Sequence, residues 1–491
     1  MLQEFEMVAK TFKGLEQVLA GELIRLGANN VQAERRAVSF SGDMRLLYKA
    51  NLWLRTASRI LKPIATFRAK DADEVYEHVK RINWELYMSL DTTFTIDSTV
   101  YSEDFRHSKY VTYRVKDGIA DFFTEKYGKR PSVRVDGADL YINVHIAEDR
   151  VTVSLDSSGA SLHKRGWRVE QTTAIMNEAL AAGMLLMAGW KGDTDFVDPM
   201  CGSGTFLIEA AMIALNIPPG IYRQGFAFER WRDFDRELFE ELYNDDSEER
   251  EFTHHIYGSD SAYYAIRAAE KNVKSAGLQK YITLHQCPIQ SQKEHAEPCL
   301  VMMNPPYGER IEPSDILKLY DEIGTVLKHK FTGSTAWVIS SNEPALKRIG
   351  LRPSERVHLL NGELDCQLLR YDLFAGKRNA PDRTSPEREE RGKDGYSRRE
   401  GKTGHSGYSG YPGEGGGDKE RGRDRREGKT GHSGYSGYSG EGDGGKERER
   451  DKGRYRGRER GGEGRGDRNG GRGRYSGGDR DNNRGRAKGR E

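Results

Sequence analysis

Residues 196–208, Phe-Val-Asp-Pro-Met-Cys-Gly-Ser-Gly-Thr-Phe-Leu-Ile, constrain the fold of this chain more than any other stretch. A short apolar run stops at Asp198-Pro199. A loop of small residues follows, Cys201-Gly202-Ser203-Gly204-Thr205, and then an Ala-rich apolar run from Phe206 to Leu215 that reads as a helix. Strand, glycine turn and helix make the opening unit of a doubly wound α/β domain, whose ligands sit beyond the carboxyl ends of the strands. Glycine lets the backbone approach such a ligand closely. The spacing is G-x-G without a third glycine, and no Gly-Lys-Ser/Thr follows. Neither the full dinucleotide fingerprint nor a phosphate loop is therefore present, and a plain tight turn is the competing reading.

About a hundred residues on, Leu300 to Met303 reads as a buried strand that ends in Asn304-Pro305-Pro306-Tyr307. Two consecutive prolines cannot donate to a sheet ladder, so the strand stops there. At its end the chain presents an amide oxygen, a proline carbonyl and an aromatic ring. An exocyclic amine on a nucleobase can donate to Asn304 and to the Pro305 carbonyl. Its ring can stack on Tyr307, a contact worth roughly 1–3 kcal/mol per base. A proline-punctuated turn beside a core tyrosine would not explain the asparagine.

The loop Asp198-Pro-Met-Cys-Gly-Ser-Gly-Thr205 and the run Asn304-Pro-Pro-Tyr-Gly-Glu-Arg310 together resemble class I S-adenosylmethionine-dependent methyltransferases that act on exocyclic amines. Over residues 1 to about 376 the chain is similar to the THUMP-domain guanine-N2 methyltransferases of bacterial large-subunit (23S) ribosomal RNA. The resemblance implies four parts. Residues 1–67 form an α+β ferredoxin-like domain, 68–160 a THUMP RNA-binding domain, 161–376 a Rossmann-like class I methyltransferase domain, and 377–491 a basic Arg/Gly-rich tail. It implies S-adenosyl-L-methionine as cofactor, held by Asp198, Pro199, Cys201, Gly202, Ser203, Gly204, Thr205 and Asp260. Asn304, Pro305, Pro306 and Tyr307 would be the catalytic group. One departure is plain: family members carry an acidic residue after the third strand to meet the adenine amine, whereas Thr283-Leu284-His285-Gln286-Cys287-Pro288 has no carboxylate. Gln286 or a backbone carbonyl would take its place.

Charge divides the chain unevenly. The overall balance is +2, yet residues 377–491 carry 32 Lys+Arg against 22 Asp+Glu, leaving 46 against 54 for residues 1–376. The tail repeats Arg-Arg-Glu-Gly-Lys-Thr-Gly-His-Ser-Gly-Tyr-Ser-Gly-Tyr at 398–411 and 425–438. It has too few apolar residues to offset the entropy of ordering, so it is expected to be disordered. Its Arg-Gly steps and tyrosines suit loose, sequence-tolerant RNA contacts. The four cysteines (Cys201, Cys287, Cys299, Cys366) make no C-x-x-C pair, so no metal site or disulfide framework is expected. Without a signal peptide or a membrane-length apolar run, the expected location is cytoplasmic.

Arg106, His107, Lys109 and Lys116 lie in and beside a polar stretch before a helix and are candidates for phosphate contacts; an ordinary solvated face is an equal alternative. Lys164, Arg165 and Trp167 form a basic-aromatic cluster at the junction of the two halves, where RNA held by one half would pass into the other. The aromatic insertion at 216–253, with Phe226, Phe228 and Trp231, is expected to be a flap near the target base or a plain hydrophobic cover. Two further functions stay open on sequence: an adenine-N6 methyltransferase on RNA or DNA, which uses the same tetrapeptide, and a non-catalytic RNA-binding ribosome assembly factor.

Overall fold

The computed structural model describes residues 4–105, 107–172, 175–308 and 312–375. Arg106, residues 309–311 and the tail from 377 onward, with its expected RNA contacts, lie outside them.

The amino-terminal half runs β1 (Phe5–Thr11), α1 (Glu16–Arg25), β2 (Asn29–Glu34), β3 (Ala37–Gly42), α2 (Met44–Trp53), β4 (Ala57–Arg68), α3 (Ala72–Lys80), β5 (Phe94–Tyr101), α4 (Ser108–Tyr127), β6 (Leu140–Ala147) and β7 (Arg150–Asp156). These strands make one seven-stranded sheet in the order β2-β3-β1-β4-β7-β6-β5. The long strand β4 joins what the sequence reads as two domains. Its first part pairs with β1 and its second with β7. The register against β7 shifts between Pro63 and Ala65, where proline has no N–H to give the ladder. One apolar core extends from Leu19 and Leu23 of α1 through Val75 of α3 to Phe123 of α4.

The second half contains α5 (Glu178–Met187), β8 (Asp195–Asp198), α6 (Thr205–Ala214), α7 (Arg236–Tyr243), β9 (Ile256–Asp260), α8 (Tyr263–Ser275), β10 (Ile282–Gln286), β11 (Cys299–Met303), α9 (Pro313–Lys330), β12 (Thr335–Ser340), α10 (Glu343–Arg348), β13 (Glu355–Asn361) and β14 (Leu364–Asp372). The sheet order is β10-β9-β8-β11-β12-β14-β13. Strands β8 to β12 run parallel, and the β13–β14 hairpin closes one edge antiparallel. Every residue of β11 is buried, as a central parallel strand requires. The chain reverses its winding between β8 and β11, and the carboxyl ends flanking that reversal form the crevice where such sheets bind ligands.

Helix α5 begins at Glu178, because the Asn177 side chain accepts from the N–H groups of Ala179 and Leu180 and caps it there. One expectation changes. The aromatic insertion is no flap over the site. Phe228 stacks on Tyr48 of α2 at 4.6 Å, and Phe226, Trp231 and Phe239 join the core of the amino-terminal half. The insertion is thus a clasp between the halves.

The junction corrects a second expectation. Arg165 is 2% exposed and Trp167 1%, so neither side chain is available to RNA. Arg165 pairs with Glu209 of α6 at 3.2 Å, with both side chains essentially inaccessible. It also donates to the carbonyls of Leu162 at 2.9 Å and Arg55 at 2.5 Å. Burial pushes the Glu209 carboxyl up, and the Arg165 charge opposes that shift. Removing one partner of such a pair leaves the other charged and buried, at a cost of about 3–5 kcal/mol. Glu209→Ala is therefore expected to lower folding stability by about that amount in denaturant titration. A loss below about 1 kcal/mol, the range of exposed pairs, would show that water already screens the pair.

Candidate active site

The register sets three strand ends level. Val197 of β8 pairs with Val301 of β11, and Asp198 pairs with Gly258 of β9. The glycine loop after β8, Asp260 at the end of β9 and Asn304 just beyond β11 therefore share one edge of the sheet.

Asp198 is 1% exposed, and its Oδ1 accepts from the Met200 N–H at 3.1 Å. Burial pushes this carboxyl well above its ordinary value; the Met200 bond opposes the shift and the Asp260 charge adds to it. Cys201 N–H donates to the Ser259 carbonyl at 2.9 Å, stitching the loop to β9. Its thiol is buried and pushed up by that burial, so it stays neutral and fills space. Gly202 has φ +52° and Gly204 φ +85°. A Cβ on Gly204 would press on the Ala269 Cβ at 3.3 Å, whereas one on Gly202 would meet only Thr172 Oγ1, at 3.8 Å. The first glycine opens onto free space and the second allows close helix packing. Asp260 closes the second parallel strand, where an acidic residue of such a fold meets ribose hydroxyls. Its carboxylate also holds the loop, accepting from the N–H groups of Gly202 at 3.1 Å and Ala262 at 2.9 Å; the remaining lone pairs can still take hydroxyls.

Sequence reasoning missed the groups that support this loop. Arg168 donates through Nε to Glu178 Oε1 at 2.7 Å, through Nη1 to Ser203 Oγ at 2.9 Å and through Nη2 to Thr205 Oγ1 at 2.9 Å. Glu178, which resembles a surface residue in sequence, is buried for this purpose. Asn272 of α8, fully buried, accepts from Val169 and Glu170 N–H and donates to the carbonyls of Glu170 and Ser203, all at 2.9–3.0 Å. The available signal was an asparagine on the apolar face of a helix, beside Ala268, Ala269 and Val273.

In the second loop Pro305 is buried and Pro306 exposed. The Tyr307 hydroxyl donates to Asn304 Oδ1 at 2.6 Å and accepts from Asn361 Nδ2 at 3.3 Å. Burial pushes this phenol well up, so it remains a donor. Asn342 Nδ2 donates to the Tyr307 carbonyl at 2.8 Å, and the Tyr320 hydroxyl to the Pro306 carbonyl at 3.1 Å. Asn361 belongs to the closing hairpin, where the sequence shows only an Asn-Gly turn. Gln286 is exposed at the end of β10, and its amide donates to the Ser261 carbonyl at 3.1 Å, leaving its oxygen toward other partners.

Of the remaining RNA candidates, His107, Lys109 and Lys164 are exposed, and Lys116 pairs with Asp117 at 2.7 Å. Tyr110 and Tyr113 stand exposed on α4 beside Lys109.

Comparison with known proteins adds three family matches: an RlmL ferredoxin-like domain over residues 6–61, a THUMP domain over 69–156, and an RMKL-like methyltransferase domain over 165–370. A Synechocystis protein bearing the name of an RNA methyltransferase is 40% identical over 369 residues, 74% of this chain and 96% of that protein. The ribosomal RNA large subunit methyltransferase K/L of Syntrophotalea carbinolica is 38% identical over 375 residues; the match spans 74% of this chain and about half, 52%, of that enzyme. A crystal structure of a methyltransferase complexed with S-adenosylhomocysteine superposes with TM-score 0.70 at 30% identity, covering 77% of this chain and all of that one. The residues here fit such a ligand: Gly202 opens onto space that a side chain would fill, beside the Asp260 carboxylate.

Because Arg168 fixes two hydroxyls of the loop, Arg168→Met is expected to weaken S-adenosylhomocysteine binding roughly tenfold or more by calorimetry. Unchanged affinity in a folded variant would mean that the loop holds its shape without the guanidinium.

Proposed function

The chain belongs to the THUMP-containing RMKL-like methyltransferase family, and from that premise we propose that it methylates the exocyclic N2 of a guanine in large-subunit (23S) ribosomal RNA. The observation that carries methyl transfer to an exocyclic amine is the Asn304-Pro305-Pro306-Tyr307 loop, level with the glycine loop on the neighbouring strand and with Asn304 Oδ1 already oriented by Tyr307. The K/L name of relatives that this chain matches over about half their length supports the choice of substrate.

S-adenosylmethionine, bound by Asp198, Gly202, Gly204 and Asp260, would supply an electrophilic methyl group. The amine's lone pair is delocalised into the base, so the protein's task is to orient it and favour positive charge on nitrogen. Tyr307 takes one lone pair of Asn304 Oδ1. The other, together with the Pro305 carbonyl, would accept the two amine protons. Such preorganised acceptors stabilise the developing cation, and holding donor and acceptor together supplies the rest. Once methylated, the nitrogen is acidic and loses its proton readily, so no strong base is needed beforehand. The base must leave its stack to reach this loop, with Tyr307 as the ring that receives it.

His107, Lys109, Lys116 and Lys164 would meet RNA phosphates on the way to the site. From its sequence, the tail at 377–491 would add salt-sensitive affinity without sequence preference. The reaction would take place in the cytoplasm, where bacterial large-subunit RNA is made.

Methyl transfer from labelled cofactor to unmodified large-subunit RNA, followed by nucleoside analysis, tests the proposal. N2-methylguanosine is the expected product. N6-methyladenosine alone would move the chain to the adenine reading, and cofactor binding without any product would favour an assembly factor. Asn304→Ala should lower kcat by roughly 10²–10³-fold while leaving S-adenosylhomocysteine affinity within about twofold, since Asn304 addresses the amine and not the donor.

A further inference from the structure

A cavity of about 680 Å³ lies in the seam between the two halves, remote from the loops described above. Its walls come from α1 and α2 on one side. On the other they come from the end of α5, the Trp190-Lys191 turn before β8, and Asn216 after α6. These segments lie at the amino-terminal edge of the parallel strands, whereas the glycine loop and Asn304 lie at the carboxyl-terminal edge.

The cavity is lined by five cations: Arg25, Lys49, Arg55, Lys191 and Arg250. Three carboxylates, Glu22, Asp245 and Glu248, also line it, so the balance is positive. Two of the three are engaged locally. Glu22 accepts from the Arg55 N–H at 2.8 Å, from the Thr56 N–H at 3.1 Å and from the Thr56 hydroxyl, and Asp245 accepts from the Ser247 N–H at 3.1 Å. Lys191 pairs with Asp193 at 3.2 Å. Among the described residues, Arg25, Lys49 and Arg250 have no carboxylate within 4.0 Å.

Arg55 is the unusual member. It is 6% exposed; its Nη2 donates to the Met212 carbonyl at 3.3 Å, and its Nη1 is buried without a hydrogen-bond partner. Burial lowers its pKa to about 10, with Glu209 and Glu22 opposing, so it is charged at neutral pH. A buried guanidinium N–H without an acceptor costs free energy, and the charge that Arg55 carries at the cavity wall favours an anion there. The half-buried indole of Trp53 lies in the same wall. The volume lies within the range of small-ligand sites.

We propose that this seam cavity is a nucleotide-binding site, with Arg55, Lys49 and Arg250 on the phosphate and Trp53 against the base. The occupant is a single phosphorylated nucleoside unit, either one residue of single-stranded RNA or a free mononucleotide. Such a site holds substrate or ligand far from the reacting base and does not depend on which base is methylated.

The test uses the full-length chain saturated with S-adenosylhomocysteine, so that the cofactor site cannot take the probe. Guanosine 5′-monophosphate and a short single-stranded oligoribonucleotide are titrated separately by calorimetry. The variants are Lys49→Ala/Arg250→Ala and Trp53→Leu; Arg55 is left intact because its loss endangers folding. Each variant is expected to bind at least one probe roughly tenfold more weakly, with S-adenosylhomocysteine affinity unchanged. Weakening for the oligonucleotide alone assigns the site to RNA, and weakening for the mononucleotide assigns it to a free nucleotide. Failure of the parent chain to bind either probe, or equal binding by parent and variants, overturns the proposal.

Discussion

Two guanidinium groups, three residues apart, hold this molecule together. Arg165 and Arg168 leave the same strap in different directions; the first side chain is fully buried and the second largely so. A buried charge is tolerated only when it is paired and its donors are occupied, so each arginine dictates what surrounds it. Arg165 requires Glu209 and the carbonyls of Leu162 and Arg55. Arg168 requires Glu178, Ser203 and Thr205. Thr205 and Glu209 stand one turn apart on α6 and so share a face. The helix that opens the ligand loop is thereby fixed at its first residue and again one turn in. Through Arg55 the same network reaches the amino-terminal half.

The chemistry of the second loop follows from a similar economy of donors. Asn304 Oδ1 has two lone pairs, and Tyr307 uses one of them. The phenol is in turn met by Asn361 Nδ2, which favours donation toward Asn304. A single remaining lone pair, fixed in direction, is a more exacting acceptor than a rotating amide. In the proposed reaction it would address an amine and not a particular ring. Guanine presents an N1–H beside its amine and adenine a bare N1, so in the proposed reaction the choice between them would fall to groups along the ring edge, and the two strand-end loops would serve either base.

The fold was legible where the sequence repeats a local rule. The strand-loop-helix at Asp198, the proline stop after Met303 and the Asn361-Gly362 hairpin each carry their conformation in a few adjacent residues. Residues whose partners are remote in sequence were not legible. Arg165 and Trp167 have the composition of a nucleic-acid surface, and nothing local reveals that Glu209, 44 residues on, takes the charge inside. Glu178 and Asn272 look like ordinary helix positions until Arg168 and Ser203 are placed beside them. The aromatic insertion misled for the same reason: Phe228 finds Tyr48 across the whole amino-terminal half. Polar and aromatic side chains keep their chemistry wherever they fold, but only tertiary contact decides whether that chemistry faces solvent or the interior.

The clasp and the shared strand have a mechanical consequence for the proposed reaction. Strand β4 runs without a break from β1 to β7, and the Phe226–Phe239 aromatics lock α7 onto α2. The exposed Lys109 face of α4 and the Asn304 loop therefore sit on one continuous packed body within residues 4–375. A flexible tether would let a docking module deliver any nearby base to the loop. A rigid one fixes the span between docked RNA and the base that is extruded, and a base at the wrong distance forfeits either docking or the near-attack geometry on which the rate depends. In the proposed reaction, selection of one nucleotide in a long RNA would then need little reading of sequence at the loop, because distance along a folded RNA would supply it.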